Sequence, residues 1–142
     1  MSERNKALVR RAVDRVYNGG DYAAVDELVS NDIAVHLGSM GELHGPEALK
    51  QFHGTLRSAF PDIRFEIEDQ IAEGDCVVTR WSAMATHTGS FQGVSPTGKR
   101  VHVTGVDIDR IVGDRVVECW TTADNLGLLQ QIGAIPAAVA SS

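Results

Sequence analysis

The chain has 142 residues, 43% of them hydrophobic and 23% charged, with a formal net charge of −6. That length and composition fit one soluble domain with a core of its own. The dispersed negative charge argues against nucleic acid and against an anionic membrane surface as partners.

Apolar residues recur at helical spacing over Asn5–Tyr17 (Leu8, Val9, Ala12, Val13, Val16, Tyr17), and Asn18-Gly19-Gly20 stops the run. Asp21 is placed to cap a second helix that reaches about Val29. A short extended piece, Ile33–Leu37, and a glycine-rich loop, Gly38–Gly45, lead into a third helix. Pro46 occupies its first turn, Leu49, Phe52, Leu56 and Phe60 form its buried face, and Pro61-Asp62 ends it. The period then becomes two, and Ile63–Ala72, Cys76–His87, Val101–Ile111 and Val116–Thr122 read as strands. Gly74-Asp75 and Gly113-Asp114 are the tight turns between neighbours. A last amphipathic helix, Asn125–Ile132, ends at Gly133, and the small, polar tail 134–142 is expected to fray.

Helices followed by a meander of strands indicate an α+β fold, with helices on one face of a curved antiparallel sheet. Residues 1–142 form one domain with its core in 5–133. The N-terminal segment MSERNKALVRR lacks the apolar core of a signal peptide, and no apolar run approaches the ~20 residues of a membrane span. A cytoplasmic protein with no membrane partner is the expectation. The two cysteines, Cys76 and Cys119, are expected as buried free thiols, since no CxxC pair occurs. No HxH or HExxH spacing is present, so no metal site is expected.

The order and spacing of several short segments resemble the SnoaL-like polyketide cyclase family. They are Val16-Tyr17-Asn18-Gly19-Gly20-Asp21, Gly45-Pro46-Glu47, Ala59-Phe60-Pro61-Asp62, Ala72-Glu73-Gly74-Asp75, Thr86-His87-Thr88-Gly89, Pro96-Thr97-Gly98-Lys99 and Leu126–Gly133. The resemblance implies the cone-shaped α+β barrel of the nuclear transport factor two type, its helices packed in the concavity of the sheet around a pocket. It also implies cofactor-independent chemistry on a small hydrophobic substrate, such as an intramolecular aldol cyclisation of a polyketide. In that family an aspartate on the last strand acts as acid and base, and a histidine on the preceding strand assists.

Those two positions fall on Thr121 and Asp107 here. Either the carboxylate has moved one strand over, making Asp107 the proton-transfer group and Thr121 its hydrogen-bonding partner, or catalysis was changed or lost. On β-strand alternation Gly105, Asp107 and Asp109 share a face, with Asp109 expected to be solvated near the strand end. His36 is expected to line the cavity and to orient substrate with Thr121. Tyr17, Phe52, His53, Phe60, Trp81, Met84 and Cys119 are the expected pocket wall. Asp124 either caps the last helix or contributes a carboxylate at the cavity rim. His87 is expected to hold the turn after its strand, and His44 and His102 to lie at the surface.

Trp120 alternates with Thr121 and is therefore expected on the convex face, where an exposed tryptophan suggests a homodimer interface. Two other classes remain open. An epoxide hydrolase would need a second inward acid, and a non-catalytic hydrophobic-ligand carrier would need none.

Overall fold

The computed structural model describes residues 2–136. The expected frayed tail therefore lies mostly outside the described residues. Helix α1 (Ser2–Ala12) continues into a wider π-helical stretch, Val13–Asn18, which carries Val16 and Tyr17. It ends where Gly19 packs its α-carbon against the carbonyls of Asp14 and Arg15, a site at which a side chain would collide with the Arg15 oxygen at 2.6 Å. Asp21 does not cap α2 (Ala23–Leu28) with its side chain. Its carboxylate is drawn instead to the Arg15 guanidinium at 3.1 Å, and only its carbonyl accepts from the Ala24 N–H.

Strand β1 (Val29–His36) is longer than the sequence suggests and is followed by β2 (Glu42–His44). β2 hides in the glycine-rich loop because three residues show no period. Helix α3 (Pro46–Ala59) and strands β3 (Arg64–Glu73), β4 (Cys76–Thr86), β5 (Arg100–Val112) and β6 (Arg115–Ala123) follow as read, within a few residues. Gly113 and Asp114 both take positive φ (59° and 61°), the backbone of a tight hairpin between β5 and β6. Helix α4 (Asn125–Gln131) closes the described chain.

The six strands form one sheet in the order β2-β1-β6-β5-β4-β3. It is mixed, not purely antiparallel, because β1 runs parallel to β6. Irregularities in register at Ile67/Asp69 and Arg110/Ile111 bend the strands, as bulges do. The N-terminal helices lie in the resulting concavity. One cluster (Leu8, Val25, Ile33, Val77, Ile111 and neighbours) packs one end. A second, around Phe60, Ala85, Val101, Leu128 and Ile132, packs the opposite end. Between them the core is hollow. Among the described residues no helix is long and apolar enough to cross a membrane, and both cysteines are free thiols, but only Cys119 is buried, since Cys76 starts β4 next to the Gly74-Asp75 turn and is only half-buried.

Candidate active site

The hollow is a cavity of about 510 Å³ bounded by the inner face of the sheet and by α1, its π turn, and α3. Exposed Met40, Gln51, Ser90 and Gln92 mark where it opens. Most of the wall is aliphatic or aromatic, and among the described residues no lysine or arginine lines it. Several of the polar exceptions, Thr79, Asp107, Asp109 and Thr121, sit together on β5 and its two neighbouring strands.

Strand β5 inverts the usual burial pattern. Val106 and Ile108 are 38% and 37% exposed on the convex side, whereas Asp107 and Asp109 are each 8% exposed on the inner side. Asp107 lies directly opposite Thr121 on β6 and Thr79 on β4. Its Oδ1 accepts a hydrogen bond from the Trp81 indole Nε1 at 3.0 Å, and the Thr121 hydroxyl also bonds the carboxyl. Gly105 makes the indole's position possible. A Cβ there would stand 2.3 Å from Trp81 Cζ2, so only glycine lets the ring lie over the strand. Burial raises the Asp107 pKa from 3.8 to about 6, and the Trp81 and Thr121 bonds hold it from rising further.

Asp109 corrects the expectation that it is solvated. β5 runs on to Val112, so Asp109 is interior to the strand, and period two puts it beside Asp107. Burial, and then the charge of Asp107, raise its pKa to about 7. The alternation along β5 is a sufficient signal for this residue.

From the helices, Tyr17 and His53 line the same cavity, their rings 4.4 Å apart, and Tyr17 lies near enough to feel the charges of Asp107 and Asp109. His53 is 7% exposed, and burial lowers its pKa to about 4, so the imidazole is neutral near pH 7. Its Nε2 is buried without a hydrogen-bond partner among the described residues. Burial likewise pushes the Tyr17 phenol well above its ordinary value. Phe52, Phe60 and Trp81 line the cavity as expected, and so does Cys119. Burial and the nearby Asp109 and Asp107 raise the Cys119 thiol far above the range of a nucleophile.

Three expected site residues do not reach this cavity. His36 projects from the opposite face of β1 from the inward Val35. Its Nδ1 meets Glu42 at 2.6 Å, its Nε2 meets Glu118 at 2.7 Å, and its ring stacks on Trp120 at 5.4 Å. The cause is register, because β1 pairs with β6 so that Val35 lies beside Cys119 and His36 beside Trp120. Hydrogen bonds that the imidazolium donates to the two carboxylates, Glu118 first, raise the His36 pKa. Met84 is 50% exposed, since it alternates with the inward Ala83 and Ala85. Asp124 is exposed and caps α4, accepting from the Gly127 N–H at 2.9 Å, so it supplies no rim carboxylate.

His87 is fully buried behind the wall, its Nδ1 2.9 Å from Thr97 Oγ1 and its backbone paired with Lys99 and Gly98 across the long loop. His44 and His102 are exposed. Among the described residues no group of three or more His, Cys, Asp or Glu side chains is arranged to hold a metal ion.

The model of the family described as SnoaL-like polyketide cyclase matches residues 7–132. Among solved structures, AclR, a candidate hydroxylase from Streptomyces galilaeus, is 31% identical with a TM-score of 0.87, over 97% of this chain and 86% of AclR. IdmH, a candidate polyketide cyclase from Streptomyces antibioticus, is 31% identical with a TM-score of 0.81, over 91% of this chain and 98% of IdmH. A candidate SnoaL-like polyketide cyclase from Jannaschia sp. CCS1 is 26% identical with a TM-score of 0.87, over 95% of each chain. No curated protein matches the sequence.

Proposed function

The chain belongs to the SnoaL-like polyketide cyclase family, and on that premise we propose that it is an acid–base enzyme acting on a hydrophobic, carbonyl-containing metabolite. The reaction is proton abstraction next to a carbonyl followed by redelivery, leading to ring closure or isomerisation. Asp107 is the base. The observation that supports this most is a carboxyl held in the wall of an apolar cavity, oriented by Trp81 and Thr121, with a pKa of about 6. A base poised near neutrality is what carbon-acid proton transfer at physiological pH requires.

Thr121, where the family carries its aspartate, orients the Asp107 carboxyl from the neighbouring strand. The substrate-orienting role expected of His36 passes to His53, whose neutral imidazole has a buried, unpartnered Nε2 on the cavity wall. The aromatic rings of Tyr17, Phe52, Phe60 and Trp81 suit a planar or polycyclic ligand.

Epoxide opening is the second reading. It is favoured by Asp109, the inward second acid which that reaction needs and which the sequence analysis did not place in the cavity. A panel of enolisable polyketide esters, terpene epoxides and inert hydrophobic analogues separates the readings, using thermal shift for binding and chromatography for turnover. Turnover of the esters by wild type and its loss by at least ~10²-fold in Asp107→Asn is the expected result. Binding without turnover would make the chain a carrier.

On the convex face Trp120 lies opposite Ile108, with Val106 two residues along. This exposed apolar stripe supports a homodimer formed sheet to sheet.

A further inference from the structure

We propose that Asp109 is the acid partner of Asp107, giving a proton to the substrate oxygen while Asp107 takes one from the substrate carbon. This rests on the enolising reading above and adds to it the second half of the proton transfer. The two carboxyls sit two residues apart on one face of one strand, roughly 6.6 Å along it. That spacing leaves room for a carbonyl and its α-carbon between them. Both line the same cavity and both are almost fully buried.

Their surroundings differ. Asp107 has Trp81 Nε1 and the Thr121 hydroxyl as donors, with Thr79 opposite on β4. Asp109 has no such donor among the described residues: beside it on β6 is the Cys119 thiol, itself 3.5 Å from Thr121 Oγ1, and opposite it on β4 is the fully buried Val77. Tyr17 from the π turn is near the pair, neutral His53 from α3 shares the cavity wall, and no lysine or arginine among the described residues lines it. The pair therefore ionises first where the donors are, at Asp107, and retains its proton at Asp109. Their pKa values, about 6 and about 7, run in the same order.

An acid is needed here for an electrostatic reason. An enolate formed in this cavity would meet no lysine or arginine, and an unpaired anion in a low-dielectric site is costly. With Asp109 the charge moves between carboxyls instead. Asp107 carboxylate takes the α-proton, the C–H electron pair becomes the C=C bond, and the carbonyl π pair moves onto oxygen. That oxygen takes the Asp109 proton, leaving a neutral enol, protonated Asp107 and ionised Asp109. In ring closure the enol carbon attacks the second carbonyl, the enol O–H proton returns to Asp109, and Asp107 protonates the new alkoxide. Both carboxyls end as they began.

The test is α-proton exchange of 2-tetralone, a neutral enolisable ketone, followed by proton NMR in D₂O, with wild type, Asp107→Asn, Asp109→Asn and Asp109→Leu. The leucine variant guards against misfolding, since it places an apolar group in an apolar wall. Wild type is expected to accelerate exchange, Asp107→Asn to lose the acceleration, and both Asp109 variants to lose roughly 10²-fold or more. Asp109 variants within twofold of wild type would overturn the acid role while leaving Asp107 as base. No acceleration by wild type, or an unaffected Asp107→Asn, would overturn both.

A second readout is independent of turnover. Trp81 fluorescence in a Trp120→Phe background reports the protonation of the carboxyl that it bonds. A two-step titration in the parent should lose its upper step when Asp109 is replaced, and an unchanged profile would refute the coupling.

Discussion

Replacing Asp107 by asparagine should stabilise the protein, and by an amount that depends on pH. In the fold this carboxyl has a pKa of about 6 against an ordinary 3.8, because burial disfavours its charge more than Trp81 and Thr121 favour it. Between those values the folded chain keeps a proton that the unfolded chain has released. Stability therefore falls as pH rises through this window and levels off above it. Asparagine removes the charge and keeps an oxygen able to accept from Trp81 Nε1. Linkage for this one group then gives a gain of about 3 kcal/mol near pH 8, shrinking to about 0.6 kcal/mol near pH 4. For a chain of this length the larger figure corresponds to roughly 10 °C in Tm. Asp109 adds to the gain at high pH, since it loses a like charge beside it. Urea unfolding followed by circular dichroism at both pH values measures the difference directly. Equal gains at the two pH values, or a loss at the higher one, would refute the claim that Asp107 is desolvated in the cavity wall.

Gly105→Ala should cost about 1–3 kcal/mol by overpacking, since the new Cβ meets Trp81 Cζ2 at 2.3 Å and the Thr122 carbonyl at 2.7 Å, and the backbone cannot yield. The displaced indole also abandons Asp107, so the carboxyl should titrate at higher pH than in wild type. Urea unfolding and a fluorescence titration check the two effects, and wild-type values in both would contradict the packing described. Ile108→Lys should convert a dimer to a monomer in analytical ultracentrifugation without altering the cavity, because Ile108 points away from it. A monomeric wild type would remove the convex stripe as an interface.

What could be read along the chain was local. The α4 cap at Asp124 and the glycine at position 133 depend on residues within a turn of each other, and the structure bears them out, with the Gly127 N–H on Asp124 and φ of 81° at Gly133. The β5–β6 hairpin is also local, but its turn alone would pair Asp107 with Trp120, and the register shift between Arg110 and Ile111 is what sets Asp107 opposite Thr121. Asp109 and Met84 were within reach of the same logic. Asp109 shares a parity with Asp107, and Met84 differs in parity from Trp81, so period two alone assigns their faces.

His36 was only partly within reach, since it alternates with the apolar Ile33, Val35 and Leu37 but the β6 residues beside it lie far along the chain. Its facing is decided by β1 lying parallel to β6, a pairing of Val35 with Cys119 across more than eighty residues. No local pattern specifies that register, and one residue of slip would have exchanged His36 with Val35. The inverted burial of β5 is likewise tertiary. Aspartates can lie inside and Val106 and Ile108 outside because the curved sheet and the helices leave a hollow where a packed core would otherwise sit. Sequence by itself determined the elements, their order and the family. Tertiary structure decided which side chains share the cavity, because that depends on strand pairing and curvature set by contacts distant along the chain.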